Sequence, residues 1–161
     1  FFAIRDLLKN YLQEGETLAD IPPAMPVIEI PSFELNESAS LFENLPRGHK
    51  TENIQPMESF DQGWGRILYR TKIAASSTKQ KLVITEVHDW ATVFINGKII
   101  GKLDRRKGEN TIEIPAQKQA VQLDILVEAT GRVNFGKAIV DPKGITEKVE
   151  LINKVTSYLF L

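Results

Sequence analysis

Apolar and polar positions along the chain follow two periods in succession, a helical one at the start and a strand-like one over the second half. Ile4, Leu7, Leu8, Tyr11 and Leu12 recur at helical spacing, Arg5, Asp6, Lys9 and Asn10 take the other face, and Glu14-Gly15 ends the run. This predicts one short amphipathic helix within residues 1–14. A helix of only about twelve residues is marginal alone, so its apolar stripe needs a surface to lie on. From 15 to 56 the chain is broken by Pro22, Pro23, Pro26, Pro31, Pro46 and Pro56. Proline cannot donate to a sheet ladder, so the extended pieces at 27–30 and 32–35 read as edge strands in a strapped linker.

After Met57 the period becomes two. Leu82, Ile84 and Glu86 alternate with Val83, Thr85 and Val87, and Trp90, Thr92 and Phe94 alternate with Ala91, Val93 and Ile95. Asn96-Gly97 marks a tight hairpin, because a primed turn needs two residues that tolerate positive φ. Further strand-like pieces lie at 98–103, 110–114, 122–128, 146–152 and 158–161. Seven or more short strands without a second helix predict an all-β antiparallel sandwich or jelly roll over 57–161.

Composition narrows the function classes. The 161 residues, 42% of them hydrophobic and 25% charged, suffice for one sizeable core. A formal charge of -1 gives no long-range field toward nucleic acid or an anionic membrane. Arg105-Arg106-Lys107 is flanked by Asp104 and Glu109 and reads as a solvated turn. There is no cysteine, which excludes disulfides, thiolate metal sites and a cysteine nucleophile. No apolar stretch approaches the ~20 residues that span a bilayer, and no basic start precedes an apolar core as in a signal peptide. Phe1 already lies inside the helical pattern, as in a chain cut from a longer one.

Chemistry is sparse. Retaining glycosidases hold an acid and a nucleophile carboxylate about 5 Å apart, yet the acidic residues here flank turns. Asp104 with Glu109, or Glu86 with Asp89, are pairs that hairpins bring close. His88-Asp89 suggests a dyad, but neighbours along a strand point to opposite faces, so His88 is assigned hydrogen bonding at a strand start. The other histidine, His49, falls in the flexible-looking 48–53 stretch and reads as exposed and idle. Two histidines without cysteine make zinc a poor expectation, and no phosphate loop or Gly-x-Ser-x-Gly elbow is present. No cofactor or metal is expected. Trp90 opens an alternating strand and reads as core. Trp64, between Gly63 and Gly65, is either a buried edge aromatic or an exposed platform for sugar stacking.

Three ordered motifs carry a resemblance. They are Gln62-Gly63-Trp64-Gly65-Arg66-Ile67-Leu68-Tyr69-Arg70-Thr71, Val87-His88-Asp89-Trp90-Ala91-Thr92-Val93-Phe94-Ile95-Asn96-Gly97-Lys98, and the run from Gly131-Arg132-Val133-Asn134-Phe135-Gly136 to Asp141-Pro142-Lys143-Gly144. Together they resemble the first β-sandwich domain after the catalytic barrel in family 35 glycoside hydrolases, the β-galactosidases. The likeness runs from about Phe2 to Leu151. It implies a jelly roll similar to galactose-binding domains, a helix at 1–14 that closes the preceding barrel, and a parent that hydrolyses terminal β-galactosides with retention. The two catalytic glutamates of the family belong to that barrel, so the resemblance implies a non-catalytic chain.

The resemblance also implies that the loop with Arg132, Asn134 and Phe135 leans over the barrel mouth and lines the side receiving the leaving sugar. The family aromatic is often tyrosine; Phe135 keeps the stacking face and loses the hydroxyl. Arg132 reads as structural, its planar guanidinium tying loop carbonyls or a carboxylate such as Asp141. Asn134 serves either the loop or the interface. After Leu151 the family's tryptophan and proline are missing from 153–161. The expected partners are the barrel and the second β-domain of the parent, with self-association through apolar ends; no nucleic acid or membrane partner is expected. By resemblance the parent is secreted, periplasmic or lysosomal in type. Two other readings stay open: a carbohydrate-binding module, if Trp64 is exposed beside polar groups, and an oligomerisation module, if Phe135 and the helix share one apolar patch.

Overall fold

The computed structural model describes residues 1–153; the expected strand at 158–161 and the departure from the family after Leu151 lie, from residue 154 on, outside the described residues. The chain divides into two units, one of Phe1–Ala39 and one beginning at Ser40.

In the first unit, α1 (Phe2–Leu8) continues as a 3₁₀ turn, Lys9–Tyr11, and gives way to extended backbone at Leu12. The Arg5 guanidinium donates to the carbonyls of Ala19 and Leu18, folding the following segment back on the helix. None of the residues of α1 is buried. The edge strands expected at 27–30 and 32–35 do not form: no strand precedes Gly65 among the described residues. Each of those pieces is bounded by a proline that removes a ladder donor, and neither finds a partner strand.

The second unit is the sandwich. Its strands are β1 (Gly65–Ile73), β2 (Gln80–His88), β3 (Trp90–Ile95), β4 (Lys98–Asp104), β5 (Thr111–Ile114), β6 (Val121–Ala129) and β7 (Gly144–Asn153). One sheet has the order β1-β6-β3-β4, the other β5-β2-β7, and all neighbours are antiparallel. The architecture is therefore the expected all-β antiparallel sandwich with one short N-terminal helix. Asn96 (φ 48°) and Gly97 (φ 78°) make the predicted hairpin between β3 and β4. The Asn96 side chain adds a second function, accepting from the Gln122 N–H at 2.9 Å and so tying the turn to β6.

Between the sheets lies a core that includes Leu82 and Ile84 from β2, Ala91, Val93 and Ile95 from β3, and Leu123, Ile125 and Val127 from β6. Burying each of the larger side chains contributes roughly 1.5–3 kcal/mol. Two expectations about side-chain facing are corrected here. Trp90 does not fill the core; it is half-buried on the outer face, while Ala91 beside it is fully buried. Both phases of β3 are apolar, and the choice is made by pairing: Ala91, Val93 and Ile95 stand opposite Val127, Ile125 and Leu123. Glu86 leaves the Leu82–Ile84 face, because a bulge between Thr85 and Val87 puts Glu86 at φ 56° and turns Val87 inward instead.

Residues 40–56 belong to the sandwich unit. Phe42 meets Phe94 edge to face at 5.1 Å between centroids, with the Arg70 guanidinium over the Phe42 ring. Arg70 itself is held by a bidentate pair with buried Asp124 at 2.7 and 3.2 Å. His49 is exposed, and its ring lies against Phe60 at 5.7 Å between centroids.

Candidate functional site

The connection between β6 and β7, residues 130–143, makes no regular element, so its shape rests on side-chain anchors. Arg132 supplies one. Its Nε donates to the Gly63 carbonyl at 3.0 Å, one terminal nitrogen pairs with the Glu58 carboxylate, and the other reaches the Asp141 carbonyl at 3.4 Å. Glu58 lies in a 3₁₀ turn, Met57–Phe60, and its two oxygens also accept from the Lys143 backbone N–H at 3.1 Å. The return bond, Met57 N–H to the Lys143 carbonyl at 2.8 Å, fixes the turn against the start of β7.

The second anchor is a buried ion cluster. Lys143 is only 2% exposed, and burying an ammonium is strongly unfavourable without partners. Its Nζ donates to Asp89 at 2.8 and 3.0 Å and pairs with Asp141 Oδ2 at 2.7 Å. Arg105 Nη1 joins the same two carboxylates at 3.0 and 2.9 Å. Thr130 adds its backbone N–H and hydroxyl to Asp89 Oδ2, both at 2.9 Å. Two carboxylates thus face two cations, and both ends of the loop are tied to them.

Burial works to raise the Asp89 carboxyl pKa, but the hydrogen bonds from Lys143, the Thr130 backbone and Arg105 outweigh it and hold the group well below the usual carboxylate range. Asp141 is likewise pushed up by burial and brought below its ordinary value by Lys143 and Arg105. Glu58 follows the same pattern through Arg132 and backbone donors. Carboxylates kept ionised in this way bind and position; they are poor proton donors at neutral pH.

His88 and Asp89, joined by a cis peptide bond, do not form a dyad. His88 is the last residue of β2 rather than the first of a strand. Its Nδ1 donates to the Pro142 carbonyl at 2.6 Å and its Nε2 lies 2.9 Å from Glu86, so the ring helps seat the loop from beneath. Among the described residues no group of three or more histidine, aspartate or glutamate side chains is arranged to hold a metal ion.

Arg132 bonds the Gly63 and Asp141 carbonyls and the Glu58 carboxylate, while the Asp141 carboxylate belongs to Lys143 and Arg105. Phe135 is 79% exposed and Asn134 is exposed; neither side chain has a hydrogen bond or ring contact among the described residues. Trp64 is 85% exposed rather than a buried edge aromatic. The 130–143 connection borders an open depression of about 340 Å³ lined by Asp89, Arg105, Thr130, Arg132, Asp141 and Lys143, among others. Lys143, Glu58 and Arg105 are not legible in the sequence as site residues. Pro142-Lys143-Gly144 looks like a solvated turn, and Arg105 sits in a run of like charges; the one signal is the grouping of Arg132, Asp141 and Lys143 in a stretch without period.

Comparison with known proteins follows this geometry. Residues 55–159 match the family described as the first all-beta domain of beta-galactosidase. The chain is 37% identical over 135 residues to a beta-galactosidase of Xanthomonas manihotis, which covers 81% of the chain and 22% of that protein. It is 31% identical over 169 residues to beta-galactosidase 1 of Dictyostelium discoideum, with 90% of the chain and 25% of the relative covered. A beta-galactosidase of Bos taurus is 32% identical over 164 residues, covering 96% and 24%. The aligned stretch amounts to a quarter of these relatives or less. The matched region contains all seven described strands of the sandwich and every anchor of the 130–143 loop, and the chain belongs to the family of first all-β domains of β-galactosidases.

Proposed function

We propose that this chain serves as a non-catalytic β-domain of a longer family 35 β-galactosidase-like enzyme, bracing the catalytic barrel and shaping the aglycone side of its pocket through Phe135. The parent hydrolyses terminal β-galactosides with retention, using carboxylates that lie in the barrel. The observation that carries this reading is the contrast within one loop: Phe135 is exposed, while residues on either side of it are pinned by Arg132 and by the Lys143 cluster. An aromatic held out on a braced loop suits contact with a partner surface or ligand. The ion-paired state of Asp89, Asp141 and Glu58 supports a positioning role for the acids of this site rather than proton transfer.

The test has two arms. The purified chain releases no chromophore from a chromogenic β-galactoside, and turnover by rigorously purified chain overturns the reading. In the longer enzyme, Phe135→Ala changes kcat/KM among galactosides that differ in leaving sugar and leaves the melting temperature in place; uniform kinetics across aglycones count against a role at the rim. A sugar-binding role for the domain itself is favoured by the exposure of Trp64.

A further inference from the structure

Among the described residues of the sandwich unit, Trp64 and Phe135 are the large aromatics left exposed, at 85% and 79%. Their loops are stitched together by one side chain. Arg132, three residues before Phe135, donates to the carbonyl of Gly63, the residue before Trp64. On the other side Gln62 Nε2 donates to the carbonyls of Trp64 and Arg66 at 3.1 and 2.8 Å. The backbone around the indole is thus fixed from two directions, while the indole itself stays in solvent. Its neighbours Gly63 and Gly65 carry no side chain to screen the ring, and a Cβ built on Gly63 would meet nothing within 4 Å.

We propose that Trp64 is the stacking platform of a carbohydrate site on this domain, taking one pyranose ring of a β-galactoside, with hydroxyls bound by guanidinium donors of Arg132, which bonds the Gly63 carbonyl, and of Arg105, which lines one depression with Arg132. The choice of a galactoside rests on the function proposed above; the site rests on the geometry.

The chemistry selects this ligand class over others. The electron-rich face of an indole accepts the C–H face of a pyranose, and such a ligand needs only one flat ring for its apolar side. Its hydroxyls need donors at the edge. Arg105 uses Nη1 for both carboxylates and is 40% exposed at its side chain, and its Nε and Nη2 make no hydrogen bond among the described residues. Arg132 lines both the Gly63 loop and the depression. An anionic ligand fits less well, because the neighbouring cations are already matched by Asp89, Asp141 and Glu58.

The chain itself is the sample, titrated with lactose and with a longer β-galacto-oligosaccharide, followed by tryptophan fluorescence and calorimetry. A saturable signal is expected, lost in Trp64→Ala and kept in Trp90→Phe. Trp64→Phe retains a ring and is expected to bind more weakly but measurably, which guards against a folding artefact in the alanine variant. Absence of saturable binding at concentrations well above millimolar, or binding unchanged in Trp64→Ala, overturns the site. Released chromophore in the hydrolysis assay is a separate readout and bears on the proposed function alone.

Discussion

Gly144 and Tyr69 are locked together: the tyrosine hydroxyl occupies the place where any side chain at 144 would begin. A Cβ on Gly144 would overlap the Tyr69 oxygen, and the backbone there lies at φ 93°, a region that L side chains rarely adopt. The hydroxyl sits so close because it donates to the Gln55 carbonyl at 2.8 Å and accepts from the Ile145 N–H at 3.0 Å. Burial pushes the phenol above its ordinary pKa, so it remains a neutral donor and acceptor across the useful pH range. One phenol thereby joins β1, the 40–56 segment and the first residues of β7.

Gly144→Ala is expected to destabilise the fold by about 2–5 kcal/mol, combining backbone strain with overpacking in a site that has no slack. Urea denaturation checks this. A midpoint within experimental error of the parent chain would show that the tyrosine can move aside.

Lys143→Met keeps the length of the side chain and removes its charge. Asp89 and Asp141 would then keep Arg105 between them, with the Thr130 donors still on Asp89, and breaking a buried pair by removing one partner costs about 3–5 kcal/mol. Thermal unfolding measures the loss, and hydrogen exchange in residues 130–143 is expected to accelerate more than exchange in the β3–β6 ladder.

Acid should weaken the protein through the same cluster. Asp89, Asp141 and Glu58 have folded pKa values below their ordinary ones. Their stabilisation is therefore complete above the unfolded carboxylate value of roughly 4 and is lost as pH falls through the depressed folded values. Melting temperatures between pH 7 and pH 2 are expected to hold near neutrality and drop steeply at the acid end. Asp89→Asn should melt lower at pH 7 and show a shallower acid slope; an unchanged slope would remove Asp89 from the account.

Arg132→Ala leaves the Gly63 carbonyl, the Asp141 carbonyl and the Glu58 carboxylate without that donor. All three groups are partly solvated, so the stability cost is modest, about 1 kcal/mol. The larger effect is local: limited proteolysis is expected to cut the variant within 131–142 faster than the parent. Equal cleavage rates would mean the Lys143 cluster alone holds the loop.

Asn96→Ala removes both a residue suited to φ 48° and the acceptor for the Gln122 N–H. A loss of about 1–2 kcal/mol is expected from calorimetric melting. A neutral result would place the turn's specificity in Gly97.

The sequence by itself determined what is local. Alternation of apolar residues marked β2 and β3; Asn96-Gly97 marked the hairpin; the lack of period in 131–144 marked a shaped loop; and three motifs in order marked the family. Each of these signals is carried by neighbours within a few positions. Tertiary structure alone decided the rest. Trp90 and Ala91 compete for the inner face, and only pairing with β6 assigns it. Lys143 looks like a solvated lysine until Asp89, 54 positions away, and Asp141 surround it. Arg132 meets Gly63 across 69 positions and Glu58 across 74. The free energy of a buried charge depends on what the fold places around it, and no short-range pattern encodes that. The exposure of Trp64 belongs to the same class, since a Gly-Trp-Gly stretch permits either outcome and the bonds made by Arg132 and Gln62 fix the loop that holds the indole in solvent.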